Sequence, residues 1–262
     1  MFRFCPLATG SSGNSLFIGT DNTKILIDAG ISCRRLTARL AALGVRLADL
    51  DAIFITHEHS DHVRGLRTLT SRRRVPVYAT GPTWYKVEAE CGNVAGKEYF
   101  TPGDVIEVGD LCLEAVPLPH DAADPVGFCV RCGGTKLAIA TDLGHAPSYL
   151  VRLFTGARLI FCEANHDEEM LKVGSYPWFL KQRILGGRGH LSNAAAGAFL
   201  AEAAADGTAY ISLGHLSLNN NLPDLARLTV ANALADCGIV TGRDVSLVLN
   251  RHGEMGECID LE

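Results

Sequence analysis

A cluster of histidines and carboxylates directly follows a predicted strand. The apolar run 52–55 is short and rich in β-branched and aromatic residues, which predicts a buried strand. Residues 56–62 come next and read Thr-His-Glu-His-Ser-Asp-His. Bringing so many imidazoles and carboxylates together is costly unless they bind something, and these groups suit zinc, manganese or iron. The sequence therefore predicts a metal site at the end of this strand.

The spacing within this motif separates two pairs of ligands. His57 and His59 are two residues apart and point the same way on an extended segment, whereas the adjacent Asp61 and His62 diverge. One ion can take the first pair and a neighbouring ion the second, as in hydrolytic centres whose two metals lie roughly 3.5–4 Å apart. The alternative is a solvated loop with incidental histidines, which this tight spacing disfavours.

Length and composition limit the class of protein. The 262 residues include 47% hydrophobic residues, enough for a core, and we predict one domain over residues 1–262. The net charge of −5 argues against a globally basic nucleic-acid-binding surface. Nine scattered cysteines and the lack of an apolar leader favour the reducing cytoplasm. No run of about 18 apolar residues occurs, so we expect no membrane span.

Other polar residues follow later predicted strands. His120 lies just past one strand end, and we interpret it as a metal ligand. Asp142 ends another apolar strand and could be a turn residue or a carboxylate bridging two cations. His190 lies in a glycine-rich segment before a predicted helix for which Ser192 is the N-cap, close to where an anion would bind.

Two segments are candidates for substrate contact. Ser11, Ser12 and Asn14 lie in a turn of small residues, which is either an ordinary hairpin connection or a loop that contacts phosphate. Arg64 begins a group of five arginines in residues 64–74 that ends with the run 72–74. Guanidinium groups pair well with phosphate, although such runs are more often solvated helix ends.

The order of predicted elements indicates the fold class. Two successive halves, each with strands followed by helices, favour an α/β fold in which two mixed sheets pack face to face and are flanked by helices. The residues at strand ends would then collect along one edge.

The motifs resemble those of the metallo-β-lactamase fold superfamily, whose fold is a four-layer αββα sandwich. The resemblance rests on Asp28, the 57–62 motif, His120, Asp142 and His215, which follow the order of the five superfamily motifs. Further segments, at 8–15, 26–30, 140–144, 163–166, 189–193 and 214–217, are similar to the YycJ/WalJ-like exodeoxyribonuclease branch.

This resemblance implies specific roles for the residues. Asp28 would hold the histidine loop, and His190, supported by Glu163, would assist the leaving oxygen. Asp61 would also orient the attacking hydroxide. Two divalent ions, Zn²⁺ or Mn²⁺, would be bound: the first by His57, His59 and His120, the second by Asp61, His62 and His215, with Asp142 bridging them.

The function implied is a metal-dependent phosphodiesterase, a 5′-to-3′ exodeoxyribonuclease that uses a metal-bridging hydroxide on single-stranded or duplex DNA ends. One alternative is a small-molecule hydrolase, either a thioesterase of the glyoxalase II type or a lactonase. A thiolate leaving group has little need of an acid such as His190, which favours the nuclease. A further alternative is a binding protein without turnover, which the complete set of ligand residues disfavours.

Overall fold

The computed structural model describes residues 1–72, 74–204 and 207–261. The chain divides into two compact units. The first contains Met1–Pro117, Ala122–Val126 and Gly253–Glu262, and the second contains Leu118–Asp121 and Gly127–His252.

The strands of the described residues form two mixed seven-stranded sheets. In chain order they are β1 (Phe2–Ala8), β2 (Ser15–Thr20), β3 (Lys24–Ile27), β4 (Ala52–Phe54), β5 (Val77–Thr80), β6 (Lys97–Phe100), β7 (Val105–Val108), β8 (Leu111–Pro117), β9 (Val126–Cys132), β10 (Thr135–Ala140), β11 (Leu159–Glu163), β12 (Tyr210–Gly214), β13 (Ser246–Leu249) and β14 (Ile259–Leu261).

The helices of the described residues are α1 (Cys33–Ala42), α2 (Ser60–Val63), α3 (Leu66–Arg72), α4 (Gly81–Cys91), α5 (Ser148–Phe154), α6 (Glu168–Val173), α7 (Trp178–Leu185), α8 (Asn193–Ala203) and α9 (Pro223–Asp236). The predicted N-cap of α8 is confirmed, because the Ser192 side chain accepts a hydrogen bond from the Ala195 N–H. Within the described ranges no helix is long and apolar enough to cross a membrane.

The first unit contains a complete sheet in the order β14-β1-β2-β3-β4-β5-β6, together with the antiparallel hairpin β7–β8. Strands β3 to β6 run parallel, so their carboxyl ends lie at one edge of the sheet. The Asp28 N–H, just past β3, donates to the carbonyl oxygen of Phe54, the last residue of β4. This pairing places Asp28 beside the segment that carries the histidine motif.

In the second unit the strand order is β13-β12-β11-β10-β9, and β10 to β13 are parallel. Ala140 pairs with Cys162, and Glu163 pairs with Gly214. The residues that leave β10, β11 and β12 therefore emerge side by side, which brings together Asp142, Glu163 and His215.

The structure confirms the predicted α/β class with two mixed sheets. Two edge strands, β6 and β14, escaped prediction. Strand β6 carries Lys97 and Glu98 and is largely exposed, so it lacks the apolar alternation of a half-buried strand. Strand β14, Ile-Asp-Leu, does alternate, but three residues are too few for the pattern to identify a strand.

Candidate metal centre

The histidine motif of the first unit brings two pairs of possible ligand atoms together. His57 Nε2 and His59 Nδ1 are 3.0 Å apart, and the two rings meet edge-on. His62 Nε2 lies 3.5 Å from Asp61 Oδ2. Because a metal–nitrogen bond is roughly 2.0–2.1 Å long, ligand atoms this close suit a shared ion. The pairs are the two that the spacing predicts.

Asp28 and Thr56 fix which nitrogen of each ring is available. Asp28 Oδ2 lies 2.7 Å from His62 Nδ1, and Thr56 donates to both carboxylate oxygens of Asp28, through its N–H and its hydroxyl, at 2.9 Å each. The same hydroxyl oxygen lies 3.0 Å from His57 Nδ1, and because its own proton is donated to Asp28, it accepts a hydrogen bond from the Nδ1–H. With both Nδ1 atoms carrying protons, the Nε2 lone pairs of His57 and His62 remain for a metal. The sequence motif includes Thr56, immediately before the first histidine, but its spacing did not predict this role.

The backbone around this loop is closely packed. Asp28 has φ of 63°, in the left-handed region that is uncommon for non-glycine residues. A Cβ atom on Gly30 would lie 1.6 Å from the Asp61 carbonyl oxygen, so only glycine fits there. The Asn14 N–H donates to the same carbonyl oxygen at 2.7 Å. These contacts hold the histidine loop against the turn after β1.

The residues predicted to contact substrate have different surroundings. Asn14 is buried, and its side-chain amide lies 3.1 Å from Asp61 Oδ2 and 3.0 Å from His62 Nε2. Ser11 is exposed and Ser12 half-buried, and the carbonyl oxygen of Ser12 accepts from the exposed Arg64 guanidinium at 3.4 Å. In the arginine run, Arg73 lies outside the described residues, and its two neighbours are exposed.

In the second unit, Asp142, Glu163, His190 and His215 each offer a ligand atom within 4.8 Å of the others. Asp142 Oδ1 lies 3.4 Å from His190 Nδ1 and 3.3 Å from His215 Nδ1. Asp142 and His215 have φ values of 59° and 51°. Left-handed backbone at non-glycine positions is a cost that persists at functional sites, where the surrounding structure enforces it.

Glu163 lies at the centre of this cluster and is fully buried. One carboxylate oxygen accepts the N–H groups of Leu143 and Leu191, at 2.8 and 3.0 Å. The other lies 3.0 Å from His190 Nδ1 and 3.2 Å from His215 Nδ1. Glu163 therefore orients both rings through their Nδ1 atoms and directs the Nε2 atom of each away from itself.

Glu163 and His190 each favour the charged form of the other. Burial alone would raise the pKa of Glu163, but the charge and hydrogen bonds of His190 and His215 lower it to about 2. Burial alone would lower the pKa of His190, but the Glu163 carboxylate raises it above its ordinary value. His190 is thus a ring that holds a proton readily and is fixed in one orientation.

His120 is held by the glycine-rich segment that contains His190. Its Nδ1 lies 3.0 Å from the Gly189 carbonyl oxygen, and its own carbonyl oxygen accepts from Arg188 Nε at 3.0 Å. Its Nε2 lies 3.3 Å from Asp121 Oδ1, and burial lowers the pKa of the ring below its ordinary value. Two supporting residues were not predicted from the sequence: Arg188, and Asn165, whose amide donates to the His215 carbonyl oxygen at 2.9 Å.

The chain is similar over most of its length to known proteins. Residues 23–211 match the family described as "Beta-lactamase superfamily domain". The chain is 40% identical over 242 residues to "Exodeoxyribonuclease YycJ" of Bacillus anthracis, with 92% of each chain covered. It is 38% identical to "Exodeoxyribonuclease WalJ" of Streptococcus pneumoniae, with 93% of this chain and 92% of that protein covered.

Among solved structures, the metallo-β-lactamase fold protein YhfI from Bacillus subtilis covers 98% of each chain with a TM-score of 0.75 and 15% identity. That likeness concerns the fold alone. Together with the family match, it shows that this chain belongs to the β-lactamase superfamily and has the metallo-β-lactamase fold.

Proposed function

We propose that this protein is a metal-dependent phosphodiesterase that removes nucleotides from the 5′ ends of DNA, single-stranded or duplex. The observation that carries the proposal is the similarity, over nearly the whole chain, to two proteins named exodeoxyribonucleases. The pairing of His190 with Glu163 is its structural support, because it supplies a positioned proton donor. The reducing cytoplasm remains the predicted location.

The proposed ligands fit divalent ions by the chemistry of their donors. Following the family resemblance, His57, His59 and His120 would hold one ion and Asp61, His62 and His215 a second, with Asp142 bridging. Each histidine in the first unit whose Nδ1 is hydrogen-bonded leaves Nε2 for a metal, and Zn²⁺ and Mn²⁺ both accept this donor set. Bound ions polarise phosphoryl oxygens and lower the pKa of bound water from about 15.7 toward about 7.

The protein's own groups then handle protons and orientation. Asp61 accepts a hydrogen bond from the attacking water and orients it toward phosphorus, and one proton of that water passes to solvent as its oxygen attacks. A new bond forms between the water oxygen and phosphorus as the bond to the leaving oxygen breaks. His190, held by Glu163 through Nδ1, donates the Nε2 proton to that leaving oxygen, a contribution typically worth about 10²- to 10⁴-fold in rate. Ser11, Ser12, Asn14 and Arg64 remain proposed substrate contacts.

The nuclease proposal is tested with DNA labelled at either end, single-stranded and duplex, incubated with Mn²⁺ or Zn²⁺. We expect stepwise loss of the 5′ label, abolished in Asp61→Asn and unchanged in Asp224→Asn, a matched exposed carboxylate on α9. Intact DNA with both metals, together with hydrolysis of a thioester or lactone, would establish the alternative function.

The role of His190 has a separate test. A p-nitrophenyl leaving group needs no proton, whereas a nucleoside alkoxide does. His190→Gln should therefore lose about 10²- to 10⁴-fold of its activity on DNA and keep most of its activity on bis(p-nitrophenyl) phosphate. Equal losses on both substrates would show that His190 serves the site in some other way.

A further inference from the structure

Helix α7 presents two large aromatic side chains to solvent. Trp178 is 65% exposed and Phe179 73% exposed, and they are consecutive in the first turn of the helix. We call this pair the aromatic face. Burying such rings is favourable, so their exposure next to each other indicates a surface that binds something.

The aromatic face lies on an element that is anchored to the candidate metal centre. At the far end of α7, the Ile184 carbonyl oxygen accepts the His190 N–H at 3.0 Å. The Arg183 guanidinium pairs with the carboxylate of Asp121, next to His120. A Cβ atom on Gly189 would lie 2.1 Å from the Ile184 carbonyl oxygen, so the two segments are in direct contact. The eight residues of α7 rise about 12 Å, roughly the length of three or four stacked nucleotides at ~3.4 Å each.

The charges at the His190 end of α7 favour an anionic ligand. The helix sequence, Trp-Phe-Leu-Lys-Gln-Arg-Ile-Leu, contains no acidic residue. Of its two basic residues, Lys181 is buried and donates to the Lys172 carbonyl oxygen, and Arg183 pairs with Asp121. Beyond its end lies Arg188, an exposed residue whose guanidinium is held beside His120 by the Nε hydrogen bond. A chain of phosphates that runs from His190 along α7 would therefore meet the Arg188 guanidinium first and then the aromatic rings, with no acidic residue on the helix to repel it.

We propose that the aromatic face stacks the bases of a single-stranded DNA segment that is continuous with the end held at the candidate metal centre. The proposal rests on the nuclease function and names the form of substrate that this element recognises. Stacking needs unpaired bases whose faces are accessible, and exposed aromatics beside basic groups are how proteins bind single strands without sequence preference.

Binding is measured on the metal-loaded protein with phosphorothioate-linked oligo(dT), which resists cleavage. The anisotropy of a fluorescein label on the 3′ end of the oligonucleotide reports binding for every variant, including Trp178→Ala. The chain has two tryptophans, and Trp84 is 1% exposed, so in the wild type quenching of tryptophan fluorescence by DNA also reports on Trp178. Trp178→Ala and Phe179→Ala should each weaken binding by about 5- to 150-fold. Tyr85→Ala, which removes a 75% exposed aromatic from α4, is the matched control and should bind as the wild type does.

The salt dependence and a small substrate separate stacking from other roles. Removing an aromatic ring should leave the slope of log K against log salt unchanged, whereas losing a phosphate contact reduces it by about 0.7 for a single strand. Hydrolysis of bis(p-nitrophenyl) phosphate should be the same in both variants and the wild type, because this substrate is too short to reach the aromatic face.

Two results would overturn the inference while the nuclease proposal stands. In the first, the wild type cleaves DNA, but both variants bind oligo(dT) as tightly as the wild type does. In the second, light scattering shows that the wild type is a dimer and that Trp178→Ala is a monomer. The second would make the aromatic face a contact between two copies of this chain. If the wild type cleaves no DNA end, the proposed function fails first.

Discussion

At the scale of single residues, the Thr56 hydroxyl connects Asp28 to His57 and so orients the rings of the first unit. Thr56→Val keeps the shape of the side chain and removes only this hydroxyl. We expect metal affinity to fall about 10- to 100-fold, the usual cost of losing a group that orients a metal-binding histidine. Competition with a chromophoric chelator measures the change.

A matched control for Thr56→Val is Thr70→Val in α3. Thr70 is also buried, and its hydroxyl donates to the Leu66 carbonyl oxygen within the helix. Thr70→Val should cost stability without changing metal affinity. If Thr56→Val and Thr70→Val both bound metal as tightly as the wild type does, the orientation of His57 and His62 would not depend on the Thr56 hydroxyl.

His166 gives a prediction about pH. The ring is 1% exposed, and neither nitrogen has a hydrogen-bond partner within the described residues. Burial lowers its pKa, so below about pH 6.5 the unfolded chain takes up this proton more readily and the free energy of unfolding falls as pH drops. His166→Phe keeps the ring shape and should be more stable by roughly 1–3 kcal/mol, with a margin that grows toward pH 5.

Urea denaturation at pH 7.5 and pH 5.0, both in EDTA, measures this margin. Keeping metal out of both proteins removes the pH dependence of metal binding from the comparison. A variant less stable than the wild type at pH 7.5 would indicate that the His166 nitrogens make hydrogen bonds in solution.

At the scale of elements, the loops that leave the parallel strands are held by close backbone contacts. Gly30, between β3 and α1, leaves no room for a Cβ against the Asp61 carbonyl oxygen. Gly30→Ala should cost about 2–4 kcal/mol of unfolding free energy and weaken metal binding, because the histidine loop must shift. Gly81→Ala is the control: its Cβ meets nothing within 4 Å, and alanine favours α4. Thermal unfolding in EDTA compares them, and equal losses would contradict the steric argument.

The strand-end positions of the candidate site could be predicted from sequence because buried strands read as short apolar runs. That rule located Asp142, Glu163 and His215 at the ends of β10, β11 and β12. The same rule could not predict the left-handed backbone at Asp28, because aspartate adopts that region more often than most residues but still uncommonly. Nor could it give the contacts of Thr56, because the partners of a hydroxyl depend on tertiary packing.

At the scale of the whole molecule, both units contain acidic groups beside histidines, Asp61 beside His62 in the first and Asp142 with Glu163 beside His215 in the second. Ions that bind only the folded chain stabilise it by RT ln(1 + [L]/Kd), about 2.7 kcal/mol at 100 times Kd. EDTA should therefore lower the midpoint of thermal unfolding, and added Zn²⁺ or Mn²⁺ should restore it. His57→Ala should respond less, whereas Cys237→Ser, which removes an exposed thiol, should respond as the wild type does. The ion that restores the unfolding midpoint most at equal concentration is the one the site prefers. An unchanged midpoint in EDTA would contradict metal binding by these residues.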